Sequence, residues 1–235
     1  MLNDFSVMAP YYERLMSGVS AEWAAKVVRE VGRFAPNPRG ADAGCGTGSV
    51  TRALASAGFS VVGFDPSAGM LNEAAALGGA EYVLGGLKEV GRLRNLGIDT
   101  AVNDVINYIR PQNLVKNFAA VYAALDKKGV FLFDVSSEYK LRSVLGENLF
   151  GEDGEDFSYM WFNTQKKDGV LMELVYFLKE GDKYRREEES FFEYAHKAED
   201  VAAALKTAGF SRVSVSGRKK RPAPDDERLY FRAFK

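Results

Sequence analysis

The chain has one cysteine, Cys45, and one histidine, His196, among 235 residues. A single thiol cannot close an intramolecular disulfide, so the core alone must hold the fold, as in a reducing compartment. With one thiol and one imidazole far apart, no zinc-type ligand cluster can form, and no metal is expected; only an all-acid magnesium site stays open. Charge of one sign is also lacking. Lys and Arg number 31 against 32 Asp and Glu, a net charge of −1, so no global field draws the chain to nucleic acid or an acidic membrane. No apolar run reaches the roughly 20 residues that span a bilayer. The first residues, M-L-N-D-F-S-V-M-A-P, lack the basic stretch and apolar run of a secretory signal. A cytoplasmic protein is expected.

What the chain does have is glycine, 23 in all, and three stand at alternate positions, Gly44, Gly46 and Gly48, in R-G-A-D-A-G-C-G-T-G over 39–48. Glycines so placed let the backbone turn sharply and approach a ligand that a side chain would hold off. A short strand over 41–43 enters the turn and a helix over 50–57 leaves it. A second apolar strand, 61–64, ends at Asp65. Strand, Gly-rich turn, helix and an acid about twenty residues on form a nucleotide-cofactor signature.

The chain continues in the same rhythm. Ser67 caps a helix with Met70, Leu71 and Ala74 inward. Strands follow at 81–84, 100–102 and 130–135, with a helix at 114–125. Upstream, a helix to Val31 puts Trp23, Val27 and Val28 on one face and ends at Pro36 and Pro38. Strands that alternate with helices and are apolar without alternation argue for a parallel sheet covered on both faces. Its ligand belongs at the carboxyl ends of the strands, where Asp42, Asp65, Asn103, Asp104 and Asp134 gather. After 135 the pattern changes. An acidic loop is expected over 147–156, then three antiparallel strands over 157–164, 170–178 and 184–194, turning at Lys167-Asp168-Gly169 and Glu180-Gly181-Asp182. A helix at 199–208 and strands at 212–216 and 229–234 rejoin the first layer. The expected division is a core of 1–146 with 195–235, and an antiparallel insertion of 147–194.

Asp42 bears on the cofactor. A dinucleotide would set its pyrophosphate over the glycine turn, facing Asp42 with like charge. S-adenosylmethionine has no phosphate; its sulfonium and ammonium cations favour a nearby carboxylate. The spacing is G-x-G-x-G, not the dinucleotide G-x-G-x-x-G. Asp65 suits either cofactor, accepting ribose hydroxyls.

D-A-G-C-G-T-G followed by V-V-G-F-D-P-S-A-G-M-L resembles the first two motifs of class I S-adenosylmethionine-dependent methyltransferases. N-D-V-I-N-Y-I over 103–109, A-P-Y-Y-E-R-L-M near the start, and F-D-V-S-S-E-Y-K-L with Y-x-W-x-N in the insertion are similar to a bacterial branch of that family. The resemblance spans nearly the whole chain. It implies an α/β, doubly wound, mostly parallel seven-stranded Rossmann-like sheet with a small antiparallel insertion acting as a substrate lid. It implies that Gly44, Cys45 and Gly46 line the methionine side, with Asp42 supporting its ammonium. Asp65 holds the ribose, Pro66 and Met70 lie by the adenine, Asn103 sits under the sulfonium, and Tyr12 closes over the cofactor. Asp104 and Asn107 face the substrate as candidate catalytic groups, with Tyr11, Tyr108 and Trp161 as candidate substrate contacts. Two departures stand out. Gly85-Gly86 replaces the acid that many relatives place near the adenine amino group, leaving Leu87 as a substitute contact. The histidine of the branch's insertion is absent, since 187–192 reads E-E-E-S-F-F.

Plainer readings apply to other residues. Cys45 packs as a small loop residue, with no histidine nearby to activate it. His196, just before a helix, reads as a surface or capping residue rather than a base. Arg218–Arg221 reads as a solvated loop balanced by Asp225-Asp226-Glu227, with a nucleic-acid patch as the rival reading. The expected function is in-line methyl transfer to an N, O or C atom of a small molecule, leaving S-adenosylhomocysteine, by a monomer or homodimer. RNA, and specifically tRNA, is the alternative acceptor. A nicotinamide-dependent oxidoreductase and a non-catalytic cofactor-binding module are the rival classes.

Overall fold

The computed structural model describes residues 4–16 and 19–235. A 3-10 turn at Ala9–Tyr11 leads into a one-turn helix, α1 (Tyr12–Leu15), and then into α2 (Val19–Phe34). The first alternating set is β1 (Arg39–Ala43), α3 (Ser49–Ser56), β2 (Ser60–Asp65), α4 (Ala68–Leu77) and β3 (Glu81–Leu84). It continues with α5 (Leu87–Val90), β4 (Leu96–Ala101), α6 (Leu114–Ala124) and β5 (Leu125–Ser136). Four strands follow: β6 (Leu149–Glu152), β7 (Phe157–Lys166), β8 (Gly169–Glu180) and β9 (Lys183–Tyr194). The chain ends in α7 (Ala198–Thr207), β10 (Arg212–Ser216) and β11 (Arg228–Phe234).

The main sheet has seven strands in the order β10-β11-β5-β4-β1-β2-β3. β1 pairs parallel with β2 and β4, while β11 runs antiparallel to both β5 and β10. Period 2 sorts the apolar run of β5 onto two faces. Phe131 and Phe133 point to the layer of α5, α6 and α7, packing with Phe118, Val121 and Leu205. Val130 and Leu132 point to the layer of α2 and α3, packing with Val27, Val31 and Leu54. This is the doubly wound sheet that the sequence implies, and no helix among the described residues is long and apolar enough to cross a membrane.

The second sheet, β6-β7-β8-β9, is antiparallel throughout. One face carries Phe157, Met172, Leu174, Tyr176 and Phe191, which form a third core with Leu141 and Leu145. The segment over 5–15 packs on the same core through Phe5, Met8, Tyr11 and Leu15.

Several expectations give way. The stretch expected as an acidic loop holds β6, an edge strand whose four residues are all exposed, so no burial pattern marks it. β4 begins at Leu96 rather than at 100, because Gly97 and Asp99 interrupt its apolar run. A π-helix at Lys140–Leu145 has no sequence signal that was read. His196 is not at the surface: it is buried, with Nε2 3.2 Å from the Ile106 carbonyl.

Candidate active site

The glycine turn leaves β1 at the carboxyl edge of the sheet. Gly44 and Gly48 adopt φ of 69° and 83°, in the left-handed region that favours glycine. Each is also crowded: a Cβ on Gly44 would strike Val105, and one on Gly48 would strike Tyr82. The turn is tied to the end of β2. Gly44 and Cys45 donate their N–H groups to the Phe64 carbonyl at 2.7 and 3.0 Å, and Gly46 N–H donates to Asp65 Oδ2 at 2.8 Å. Asp65 Oδ1 accepts from Ser67 N–H at 2.8 Å. Ser67 then caps α4, as its sequence position predicts, by accepting from Met70 N–H at 3.3 Å. Burial pushes the Asp65 carboxyl up, and the N–H groups of Ser67 and Gly46 oppose that.

Asp42 lies beneath the turn, 1% exposed, and accepts hydroxyl hydrogen bonds from Thr51 at 2.6 Å and Thr100 at 2.7 Å. Burial pushes its carboxyl up to about 6, with the two threonines pulling the other way. Burial, with the charges of Asp42 and Asp65, pushes the Cys45 thiol far up, so it is no thiolate nucleophile.

At the end of β4, Asn103 and Asp104 both take positive φ, 65° and 68°. Consecutive left-handed residues outside glycine are strained, and Asn and Asp tolerate the conformation best. Asp134, at the end of β5, holds this turn by accepting N–H bonds from Asn103 at 2.7 Å and Asp104 at 3.3 Å. Asn103 Nδ2 then donates to the Tyr12 hydroxyl at 2.9 Å, tying the N-terminal segment to the sheet edge. Burial pushes the Tyr12 phenol up to about 12, so it stays neutral.

A buried charge cluster adjoins the turn. Arg228 of β11 contacts Asp134 and lies 2.8 Å from Asp104, while Lys140 Nζ lies 3.7 Å from Asp104. Burial alone would raise Asp104, but Arg228 and Lys140 outweigh it and hold the carboxyl below its usual range. Asp134, wholly buried, is pushed up by burial against the pull of the shared Arg228. Glu193 of β9 approaches from the second sheet. Its Oε1 accepts from the Tyr108 hydroxyl at 3.1 Å. Burial, then the Asp104 charge, pushes Glu193 up to about 8.

A cavity of 670 Å³ lies between the two sheets. At one end it meets Tyr12, Gly44, Asp65, Pro66, Leu87 and Asn103. At the other it meets Asp104, Tyr108, Trp161, Met172 and Glu193. Asp42 and Cys45 border a smaller adjoining cavity of 50 Å³, which shares Tyr12, Gly44 and Asn103. Four of the sequence-derived site residues, Gly46, Met70, Tyr11 and Asn107, line neither cavity. Met70 is buried under the α4 cap. Tyr11 stacks on Phe157 with ring centres 4.4 Å apart. Asn107 is fully buried, its amide engaged by the carbonyls of Ser136 and Tyr194 and by Ser136 N–H, each within 3.0 Å. Both of its N–H donors are therefore taken within the protein.

Sequence reading did not single out Lys140, Glu193 or Arg228 as site residues. One signal was available for Glu193: it shares a period-2 face with Phe191, so an acid stood where the pattern wants an apolar group. The basic run is different. Arg218 is engaged by Asp225 at 2.7 Å and Asp226 at 2.8 Å, which accords with the balanced-loop reading. Lys219 and Lys220 border a separate 650 Å³ cavity beside α2, away from the glycine turn.

Comparison with known proteins adds to this geometry. A family model described as a methyltransferase domain matches residues 41–129. The Bacillus subtilis (strain 168) protein named "Putative methyltransferase YqeM" is 29% identical, over 97% of this chain and 95% of its own. The crystal structure of an S-adenosylmethionine-dependent methyltransferase from Clostridium acetobutylicum ATCC 824 superposes with a TM-score of 0.82. It is 28% identical, with 95% of each chain covered. CalS10, an amino pentose methyltransferase from Micromonospora echinaspora, superposes at 0.74 over 97% of this chain and 96% of its own, and at 18% identity shares the fold.

Proposed function

Because the chain belongs to the class I S-adenosylmethionine-dependent methyltransferases, we propose that it methylates a small molecule enclosed between its two sheets. The observation that carries this is the single 670 Å³ cavity, which runs from the glycine turn and Asp65 to Trp161 and Glu193 of the second sheet. In this reading residues 147–194 are the lid over the acceptor.

The residues fit the cofactor. Gly44 presents backbone rather than a side chain to the cavity at the turn. Asp65 keeps lone pairs free for ribose hydroxyls, since each oxygen accepts one N–H. Pro66 and Leu87 offer apolar walls for the adenine, with Leu87 in place of the acid that Gly85-Gly86 lacks. Asp42 and Asn103 stand on the methionine side, and Tyr12 closes it. When bound, S-adenosylmethionine supplies a methyl group already activated by sulfonium charge. The chain's own task is then alignment and exclusion of water, and alignment alone is worth roughly 7–11 kcal/mol. Asp104, held ionised by Arg228 and Lys140, serves as a fixed charge and not as a base.

The test is thermal. Saturation at about 100 times Kd adds roughly 2.7 kcal/mol, or about 5–11 °C in Tm for a chain of this size. S-adenosylhomocysteine is expected to give that rise, Asp65→Ala to lose most of it, and NADH to give none. No shift with S-adenosylhomocysteine, or protection by NADH instead, would sink the reading.

A further inference from the structure

Within the buried cluster the charges do not balance. Arg228 is in contact with both Asp104 and Asp134, and Lys140 lies 3.7 Å from Asp104. Two cations thus serve two carboxylates. Glu193 is a third acid beside them, 5% exposed, with no Lys or Arg in ion-pair contact among the described residues. Its Oε1 has the Tyr108 hydroxyl, but Oε2 is buried with no hydrogen-bond partner among the described residues. Leaving a carboxylate oxygen in that state costs the full desolvation of the group unless a ligand supplies a donor. Glu193 borders the 670 Å³ cavity, and around it the second sheet presents Met172, Leu174 and Phe191, an apolar floor. A ligand that satisfies both features has an apolar body and a cationic, proton-bearing end.

We propose that Glu193 receives the proton of the acceptor and that the acceptor is a primary or secondary amine that arrives as its ammonium. The proposal rests on the methyl-transfer reading and specifies its substrate. The ammonium gives one proton to the Glu193 carboxylate, which frees the nitrogen lone pair. That pair forms the bond to the methyl carbon as the carbon–sulfur bond breaks, its electrons remaining on sulfur. Positive charge passes from the sulfonium to the methylated nitrogen, and Glu193 returns its proton to water when the product leaves. The position of Glu193 suits this exchange. Burial and Asp104 raise its affinity for a proton, while Lys140, the Tyr108 hydroxyl and Arg228 oppose them. The result, about 8, lies closer to the roughly 10.4 of an alkylammonium than an ordinary carboxylate does, which lowers the cost of the transfer.

The experiment uses the full chain, with and without saturating S-adenosylhomocysteine, and two ring-matched probes, cyclohexylamine and cyclohexanol. Calorimetry at pH 7 in two buffers of different ionisation enthalpy reads both affinity and protons. Wild type is expected to bind the amine about tenfold more tightly than the alcohol. Because free Glu193 is mostly protonated at that pH and the bound ammonium favours its carboxylate, amine binding should release close to one proton. Glu193→Gln should bring the two probes within about twofold and abolish the proton release, while keeping the S-adenosylhomocysteine rise in Tm. A role confined to packing would leave the proton count unchanged. Equal binding of the two probes, no amine binding at millimolar concentration, or proton release that persists in Glu193→Gln overturns the proposal. Loss of the S-adenosylhomocysteine response in wild type strikes the methyl-transfer reading instead, and the probe comparison on the unloaded chain still decides the role of Glu193. If Glu193→Gln does not fold, the wild-type affinity ratio and proton count decide alone.

Discussion

Arg228 is the residue on which the far wall of the site depends. It touches Asp134, which holds the strained Asn103–Asp104 turn, and it touches Asp104 itself. Burial would lower the guanidinium's proton affinity, but the two carboxylates raise it above its ordinary value, so it is charged at any working pH. Replacing it with an uncharged side chain of similar length leaves two buried acids with Lys140 alone. Arg228→Met is therefore expected to destabilise the fold by about 3–5 kcal/mol, the range for breaking a buried pair on one side. Urea unfolding at pH 7 measures it; a change below 1 kcal/mol, on the scale of exposed pairs, would show the pair to be hydrated. Nothing local marked Arg228 in the sequence. It sits 94 positions from Asp134 and 124 from Asp104, and only the antiparallel return of β11 beside β5 joins them. Asp65 was legible because its partners, Gly46 and Ser67, lie in the same local unit, whereas Asp42 takes one partner from that unit, Thr51, and one from β4, Thr100. Asn107 shows the opposite limit: its position in the motif was legible, but its role depends on the carbonyls of Ser136 and Tyr194, which no spacing reveals.

At the scale of elements, the N-terminal segment works as a strap between the two sheets. Glu13 reaches the Thr47 hydroxyl in the glycine turn, and Tyr12 meets Asn103. On the other side Tyr11 stacks on Phe157, Phe5 packs 4.2 Å from Phe191, and Arg14 pairs with Asp156 at 2.8 Å. Glu189 of β9 accepts the N–H groups of Val7 at 2.5 Å and Met8 at 3.2 Å. Tyr11→Leu keeps apolar area but removes the stack, worth about 0.5–1.5 kcal/mol. Since Tyr11 lies outside the cavity, the loss should act through the strap. The Val7 and Met8 amides are expected to exchange faster, and S-adenosylhomocysteine to bind up to about tenfold more weakly. Unchanged exchange at those amides would show that the strap is held from the core side alone. The regular elements were legible where apolar residues stand between turn signals: β3 and β10 fall on the expected residues although neither has a buried residue, and α6 differs by one. β6 was not, because its L-F-G-E is fully exposed and lies inside an acidic, glycine-containing stretch that reads as a loop.

At the scale of the whole molecule, several acids hold protons more tightly in the fold than in an unfolded chain. Asp42 is raised to about 6 and Glu193 to about 8, mainly by burial. Asp99, in the middle of β4, is raised well above its ordinary value by burial and by Asp42, and neither of its oxygens has a partner among the described residues. For a group with a raised folded pKa, the contribution to stability is fully present below the unfolded pKa and is lost as pH rises through the folded one. These three acids therefore favour the fold increasingly as pH falls from about 8 toward the ordinary carboxylate range near 4. Asp104 runs the other way: its folded pKa is lowered, so its contribution is present above the unfolded value and is lost as pH falls through the folded one. The sum is a maximum on the acid side of neutrality. Tm is expected to climb as pH is lowered from 8.5 to about 5 and to drop below about 4. Glu193→Gln should reduce the climb between about pH 8 and pH 6, where Asp42 is already largely ionised, and Asp99→Asn should reduce it further. Differential scanning calorimetry across that range, in the absence of cofactor, measures all three curves. A wild-type Tm that is flat or rises between pH 5 and 8.5 would mean that these buried acids are hydrated in the fold. In that case the uncompensated carboxylate at Glu193 would need no cation to complete it.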